Sequence, residues 1–230
     1  ILAWVDGGEL KIGPIGEYLP FRERSEELVR IDCDHLEEAR QSRASGALTA
    51  SGTMAVCRRL DIPMAITCGM GGIGDLRGEE LCPDLPALMN IPVALISTSP
   101  KDMLDRPATL DWLRRHGVHT AGEPCTGYLF CGEPVALELP LSSCNNEAAV
   151  RRLTANGGLL LLNPIPEKER VQDRSILVDA IKAGKQAEAE GHYYHPAANG
   201  EIDRRTGGYS SRIQLESIQQ NYLLAKSIMD

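Results

Sequence analysis

No apolar run in this 230-residue chain reaches the roughly 18 residues needed to span a bilayer, and no basic segment leads into an apolar stretch as a secretory signal would. A helical membrane span is excluded, and the expected compartment is the cytoplasm. Positive charge is also short: 24 Lys and Arg stand against 32 Asp and Glu, a formal charge of −8. That balance argues against a nucleic-acid surface and favours a small-molecule partner. The seven cysteines, at 33, 57, 68, 82, 125, 131 and 144, lack the paired short spacing of a zinc site, so reduced thiols account for them. Neither a Gly-x-Ser-x-Gly element nor a Gly-Lys-Ser/Thr phosphate loop occurs, which weighs against common hydrolase and kinase designs. Repeats, low-complexity tracts and linkers are missing too, so residues 1–230 read as one domain. The chain opens on a strand-like run without an initiator Met, and a segment upstream is expected.

What the chain does contain is enough apolar material for a large core, 43% of residues. Apolar strand-like runs recur at residues 2–5, 28–31, 63–67, 92–97 and 158–162. Helical spacing marks residues 34–44, 49–60, 84–90, 107–116, 145–155, 174–190 and 211–229. This alternation predicts an α/β fold of layered α/β/α type, with a central mixed sheet flanked by helices. Asn145 or Asn146 is the expected cap of the fifth helix, and 135–139 reads as an edge strand or hairpin arm.

Lys101 follows the run Ile91-Pro92-Val93-Ala94-Leu95-Ile96 and the polar step Ser97-Thr98-Ser99-Pro100. Pro100 reads as the first residue of a helical turn capped by Thr98 or Ser99, whose orphan amides, together with burial, would lower the amine's pKa. A neutral amine attacks carbonyls and forms Schiff bases. Taken alone, a lysine is more often simply solvated.

Gly69-Met70-Gly71-Gly72-Ile73-Gly74 follows a predicted strand, either as a tight turn or as a backbone surface shaped to a ligand. The next strand ends in Ser97-Thr98 with no acidic residue for a ribose hydroxyl, which argues against NAD. Glu80 and Asp84, four apart, could hold a hard divalent cation if helical, although Pro83 interrupts that helix and solvated acids are the plainer reading. Asn163 leaves the last buried strand in Asn163-Pro164-Ile165-Pro166-Glu167, at the strand end where α/β sheets collect ligands. His192 and His195 read as loop residues, and Asn221 as a surface residue of the terminal helix.

In order along the chain, these segments resemble the pseudouridine-5′-phosphate glycosidase family, also called indigoidine synthase A-like. The resemblance rests on Gly7-Gly8 with Lys11 and Gly13, Gly46-Ala47 with Thr49 and Ser51, and the Thr67–Gly74 loop. It continues through Asp84-Leu85, Lys101 with Leu104-Asp105, Thr109-Leu110, Gly117-Val118, Gly157-Gly158-Leu159 and Asn163–Glu167. It implies reversible cleavage of the C–C bond between uracil and ribose 5-phosphate through an imine of Lys101, with Mn²⁺ at Glu80. It also implies substrate contacts from Arg30, Ala50, Thr67, Gly71, Gly72, Cys82, Pro83, Asp84 and Asn163, and a homotrimer.

The chain departs from the family pattern at several places. Arg30 replaces a lysine, Asp32-Cys33-Asp34 replaces a Ser-Arg-Arg run, the histidine of a His-Arg-Gly element is gone, and the family's proton-donating glutamate falls upstream of Ile1. Two alternatives follow. One is a C-glycosynthase acting on a non-uracil aromatic acceptor; the other is a non-catalytic sugar-phosphate binder.

Overall fold

The computed structural model describes residues 2–74, 82–155 and 157–230. In chain order the first elements are β1 (Leu2–Asp6), β2 (Glu9–Gly13), α1 (Ile15–Arg22), β3 (Val29–Ile31), α2 (Leu36–Gln41), β4 (Gly46–Leu48) and α3 (Ala50–Arg59). Their strands form one sheet in the order β2-β1-β4-β3, antiparallel at both edges of β1 and parallel between β3 and β4. Val5, Ile31, Leu36, Ala39 and Val56 are its small core.

The chain continues with β5 (Met64–Ile66), β6 (Gly69–Met70), α4 (Asp84–Asn90), β7 (Ala94–Ser97), β8 (Ser99–Pro100) and α5 (Arg106–Arg115). Then come β9 (His119–Gly122), α6 (Glu147–Ala155), β10 (Leu159–Leu162), α7 (Ser175–Ala189), α8 (Tyr194–Arg205) and α9 (Tyr209–Met229). A second sheet, ordered β5-β7-β10-β9, is parallel throughout.

All four leucines of β10 are buried, as expected of a parallel strand covered on both faces. Strand alternation sends Ala65, Leu95, Leu160 and Leu162 toward Met54 of α3, Leu85 and Leu88 of α4, and Leu110 and Leu113 of α5. Met64, Ala94, Ile96, Leu159 and Leu161 face Val150 of α6 and Ala225 and Ile228 of α9. Each fully buried side chain of this kind contributes about 1.5–3 kcal/mol. The layered α/β/α architecture therefore follows from the apolar runs, and the antiparallel pairing that makes the fold mixed belongs to the N-terminal sheet. A third core joins Tyr128, Phe130, Ile165 and Val171 to Ile176 and Ala180 of α7, Ile202 of α8 and Ile213 of α9.

The five apolar strand runs and the seven segments of helical spacing all occur, each helix end lying within three residues of its expected position. Helices α1 and α8 and strands β2, β4, β6, β8 and β9 were not expected. Interior Pro20 disguises α1, and the run from His192 to Pro196 disguises α8, although Pro196 sits in the first turn, where its missing N–H costs nothing. Residues 135–139 form only isolated bridges, Cys125 to Val135 and Ala121 to Leu139. Asn146 caps α6, its Oδ1 accepting from Ala149 N at 2.9 Å. The expectation at Pro100 fails: Ser99 and Pro100 are strand residues paired with Gly69 and Met70. The next helix starts at Arg106, with Asp105 Oδ1 accepting from Ala108 N at 2.9 Å. Lys101 is therefore not at a helix start. No helix among the described residues is long and apolar enough to cross a membrane.

Candidate active site

The carboxyl edge of the parallel sheet is extended by β6 and β8. Thr67 N donates to Ile96 O at 2.9 Å and Thr98 N to Cys68 O at 2.8 Å, so pairing continues from β5 and β7 into the shorter strands. Lys101 follows at once, its N–H donating to Met70 O at 3.2 Å. A Cβ added to Gly69 would stand 2.8 Å from the Tyr128 ring and 3.1 Å from Lys101 Cγ, which leaves room for glycine alone. The Lys101 side chain is half-buried rather than projecting into solvent. Among the described residues, no hydrogen bond or ion pair takes up its Nζ.

Burial is the main cause of a depressed Lys101 pKa, and the Arg30 cation adds to it; Asp84, Cys82 and Cys68 oppose them. Desolvation and a neighbouring cation thus both disfavour its charged form. A hollow of about 120 Å³ lies nearby, lined by Asp102, Arg106, Phe130 and Arg174 among others, but Lys101 does not line it. Chemistry, not cavity size, marks the site.

Asp84, the first residue of α4, is buried and ties the start of α3 to the glycine loop. Its Oδ1 accepts from Ser51 N at 3.0 Å and its Oδ2 from Gly71 N at 2.8 Å. A side chain at Gly71 would run into Cys82 Sγ and Asp84 Oδ2, so the glycine loop lies against this carboxylate at backbone distance. Gly72 is buried against Thr109, whose Oγ1 accepts from Ile73 N at 2.9 Å. Cys82 and Pro83 are half-buried where the chain enters α4, and Ala50 opens α3 against the same core. Asp84, Cys82, Gly71 and Gly72 therefore come together, and the charges of Asp84 and Cys82 reach Lys101.

Arg30 is exposed on β3, with its guanidinium 5.9 Å from the Tyr193 ring centroid. Thr67 and Asn163 converge on Asn221, which is fully buried rather than on the surface. Asn163 Nδ2 donates to Asn221 Oδ1 at 2.9 Å, while Asn221 Nδ2 donates to Thr67 O at 2.8 Å and Thr98 Oγ1 at 3.3 Å. Sequence reasoning missed this clamp. Its signal was there, since Ile213, Ser217, Asn221 and Ala225 recur every fourth residue along the buried stripe of α9.

His195, expected in a loop, is instead a buried residue of α8. Burial, then the charges of Lys101 and Arg30, push its imidazole down to about 3. Asp102 was also missed: it accepts from the amides of Tyr128, Leu129 and Phe130 and holds that loop beside Lys101.

A divalent cation needs several oxygen ligands. Among the described residues no three His, Cys, Asp or Glu come together to hold one, and Asp84 has given an oxygen to each of two amides. The described residues thus do not form a metal cage, and Glu80, the expected ligand, lies outside them.

The sequence profile of the family described as "Indigoidine synthase A like protein" matches residues 3–229. The chain belongs to that family. Its indigoidine synthase A-like relatives include the pseudouridine-5′-phosphate glycosidase of Methylobacterium nodulans, 28% identical over 238 residues that cover 97% of this chain and 70% of that protein. The enzyme of the same name from Saccharopolyspora erythraea is 29% identical over 236 residues, covering 97% and 78%. Two solved structures share the fold. An indigoidine synthase A-like protein from Thermotoga maritima superposes with a TM-score of 0.79 at 20% identity, over 98% of this chain and 78% of that one. The prealnumycin C-glycosynthase AlnA, solved in complex with ribulose 5-phosphate, gives 0.76 at 23% identity, over 98% and 76%.

Proposed function

We propose that the chain is a pseudouridine-5′-phosphate glycosidase-type enzyme that reversibly breaks and forms the C–C bond between uracil, or a related base, and ribose 5-phosphate. The observation that carries this reading is the half-buried Lys101 amine, unpaired among the described residues and depressed in pKa, at the carboxyl edge of the sheet. Nζ attacks sugar C1 as the ring oxygen leaves that carbon and takes up the proton that the nitrogen gives up. The nitrogen lone pair then expels the base, whose carbon takes the C–C electron pair and a proton, and a protonated imine remains on C1. Water hydrolyses the imine to free ribose 5-phosphate and returns the amine. Arg30, the glycine loop and Asn163 border this reaction in the proposal, and Asp84 sets the loop geometry.

Borohydride trapping with ribose 5-phosphate is expected to leave a stable adduct on the peptide containing Lys101, read by mass analysis; an unmodified Lys101 would sink the imine. AlnA's shared fold and the arginine at position 30 favour a second reading, bond formation on an aromatic acceptor. Turnover of a phenolic acceptor but not uracil selects it, and binding of ribose 5-phosphate without turnover of either selects a non-catalytic binder.

Mn²⁺ at Glu80 also belongs to this proposal, supported by the family resemblance. Chelation is expected to lower turnover at least tenfold and added Mn²⁺ to restore it; indifference to chelation removes the metal. A homotrimer is proposed as well, and the exposed Leu215, Ile218, Tyr222 and Leu223 of α9 support self-association. Sedimentation should give near three times the 25.0 kDa chain mass, and a monomer would exclude this assembly.

A further inference from the structure

His195 is a buried polar side chain for which the imine chemistry gives no account. It is the second residue of α8, only 9% exposed, with its ring edge-on to Tyr194 at a centroid distance of 5.4 Å. Among the described residues nothing hydrogen-bonds its Nδ1. A buried nitrogen left unpaired costs about 1–3 kcal/mol, and folded proteins rarely leave one so. An apolar ring would fill the same place without that cost.

The surroundings indicate what the nitrogen is for. The charges of Lys101 and Arg30 both act on His195, and Arg30 acts on Lys101 in turn. Arg30 also lies over Tyr193, two residues before His195. Side chains from β3, from the turn after β8 and from the start of α8 therefore share one polar neighbourhood. With the Arg30 cation near and a protonated imine forming on Lys101, a neutral imidazole suits a hydroxyl group, to which it can donate or from which it can accept, better than a charged one.

We propose that His195 Nδ1 hydrogen-bonds a hydroxyl of the open-chain sugar phosphate held on Lys101, and so helps to determine which sugar the site accepts. The assignment rests on the imine reading above, and its test separates the two.

The full chain, wild type and variants, is titrated with ribose 5-phosphate by calorimetry. His195→Phe is expected to bind about tenfold more weakly, equivalent to about 1.4 kcal/mol. Its KM should rise while kcat changes less than about threefold, and its melting temperature should not fall. His195→Asn, whose amide reaches the position of Nδ1, is expected to stay within about threefold of wild type in affinity. Equal affinity in His195→Phe overturns the proposal. Should His195→Phe not fold, the wild-type ¹⁵N resonance of Nδ1 decides: a shift on adding ribose 5-phosphate supports the contact, and an unmoved resonance overturns it. Trapping at Lys101 in the wild type is the separate control. An adduct there together with equal His195→Phe binding removes His195 alone, whereas absence of any adduct removes the imine and leaves His195 to the binding comparison.

Discussion

Lys101→Met is expected to lower turnover at least about a thousandfold, roughly 4 kcal/mol of barrier, while leaving the protein as stable as before or more so. The two effects share one cause. An amine whose pKa is depressed by burial and by Arg30 resists folding wherever the unfolded chain would hold it protonated. The unfolded state then binds more protons than the folded one, so wild-type stability rises with pH up to the ordinary lysine value near 10.5. Methionine removes that titration, so its advantage should be greatest near neutral pH and close as the pH approaches 10. Turnover assays beside urea melts at pH 7 and pH 9.5 test both halves. Activity above a tenth of wild type would discard the imine, and a variant clearly less stable at pH 7 would discard the desolvated amine. Such a trade of stability for reactivity is common at active sites.

Asp102→Asn should cost about 2–4 kcal/mol of stability at pH 7. The wild-type carboxylate accepts from Tyr128 N at 2.8 Å, Leu129 N at 2.6 Å and Phe130 N at 3.1 Å, with Arg106 Nη1 at 3.7 Å. An amide offers one acceptor oxygen and turns an N–H toward the remaining donors. Burial raises the Asp102 pKa above its ordinary value in spite of those three amides. The folded protein therefore binds more protons than the unfolded chain between the unfolded value near 3.9 and the raised one. Wild-type stability gains from this group as the pH falls through that window, so the gap to Asp102→Asn should widen toward acid. His195 works the other way, since its depressed pKa loses stability from about 6.5 toward about 3. That loss is common to both proteins and cancels in the difference. Denaturant melts at pH 7 and pH 4.5 measure the gap, and a cost under about 1 kcal/mol would mean the three amides find other acceptors.

Much of the frame was legible along the chain. The runs Ala94–Ile96 and Leu159–Leu162 are apolar at every position because both sheet faces are covered, and a continuous run needs no partner to be recognised. Lys101 could be singled out because it leaves such a strand at the sheet's carboxyl end. Of the two causes expected to lower its pKa, burial holds and the helix start does not. Ser99 and Pro100 pair with Gly69 and Met70 instead of starting a helix, and only the position of Arg30, 71 residues earlier in the chain, supplies the neighbouring cation. Asp84 was expected to serve a sugar or a metal, and only the fold showed that its two oxygens also accept from the amides of Ser51 and Gly71.

By itself the sequence determined the layered α/β frame, the family and the lysine, since these depend on periodicity and on short ordered motifs. Tertiary structure alone decided that Asn221 and His195 are buried, that Asp102 gathers three amides, and that Arg30 stands close enough to shift both Lys101 and His195. Burial and Coulomb forces act through space, between residues whose separation along the chain carries no trace of their distance in the fold.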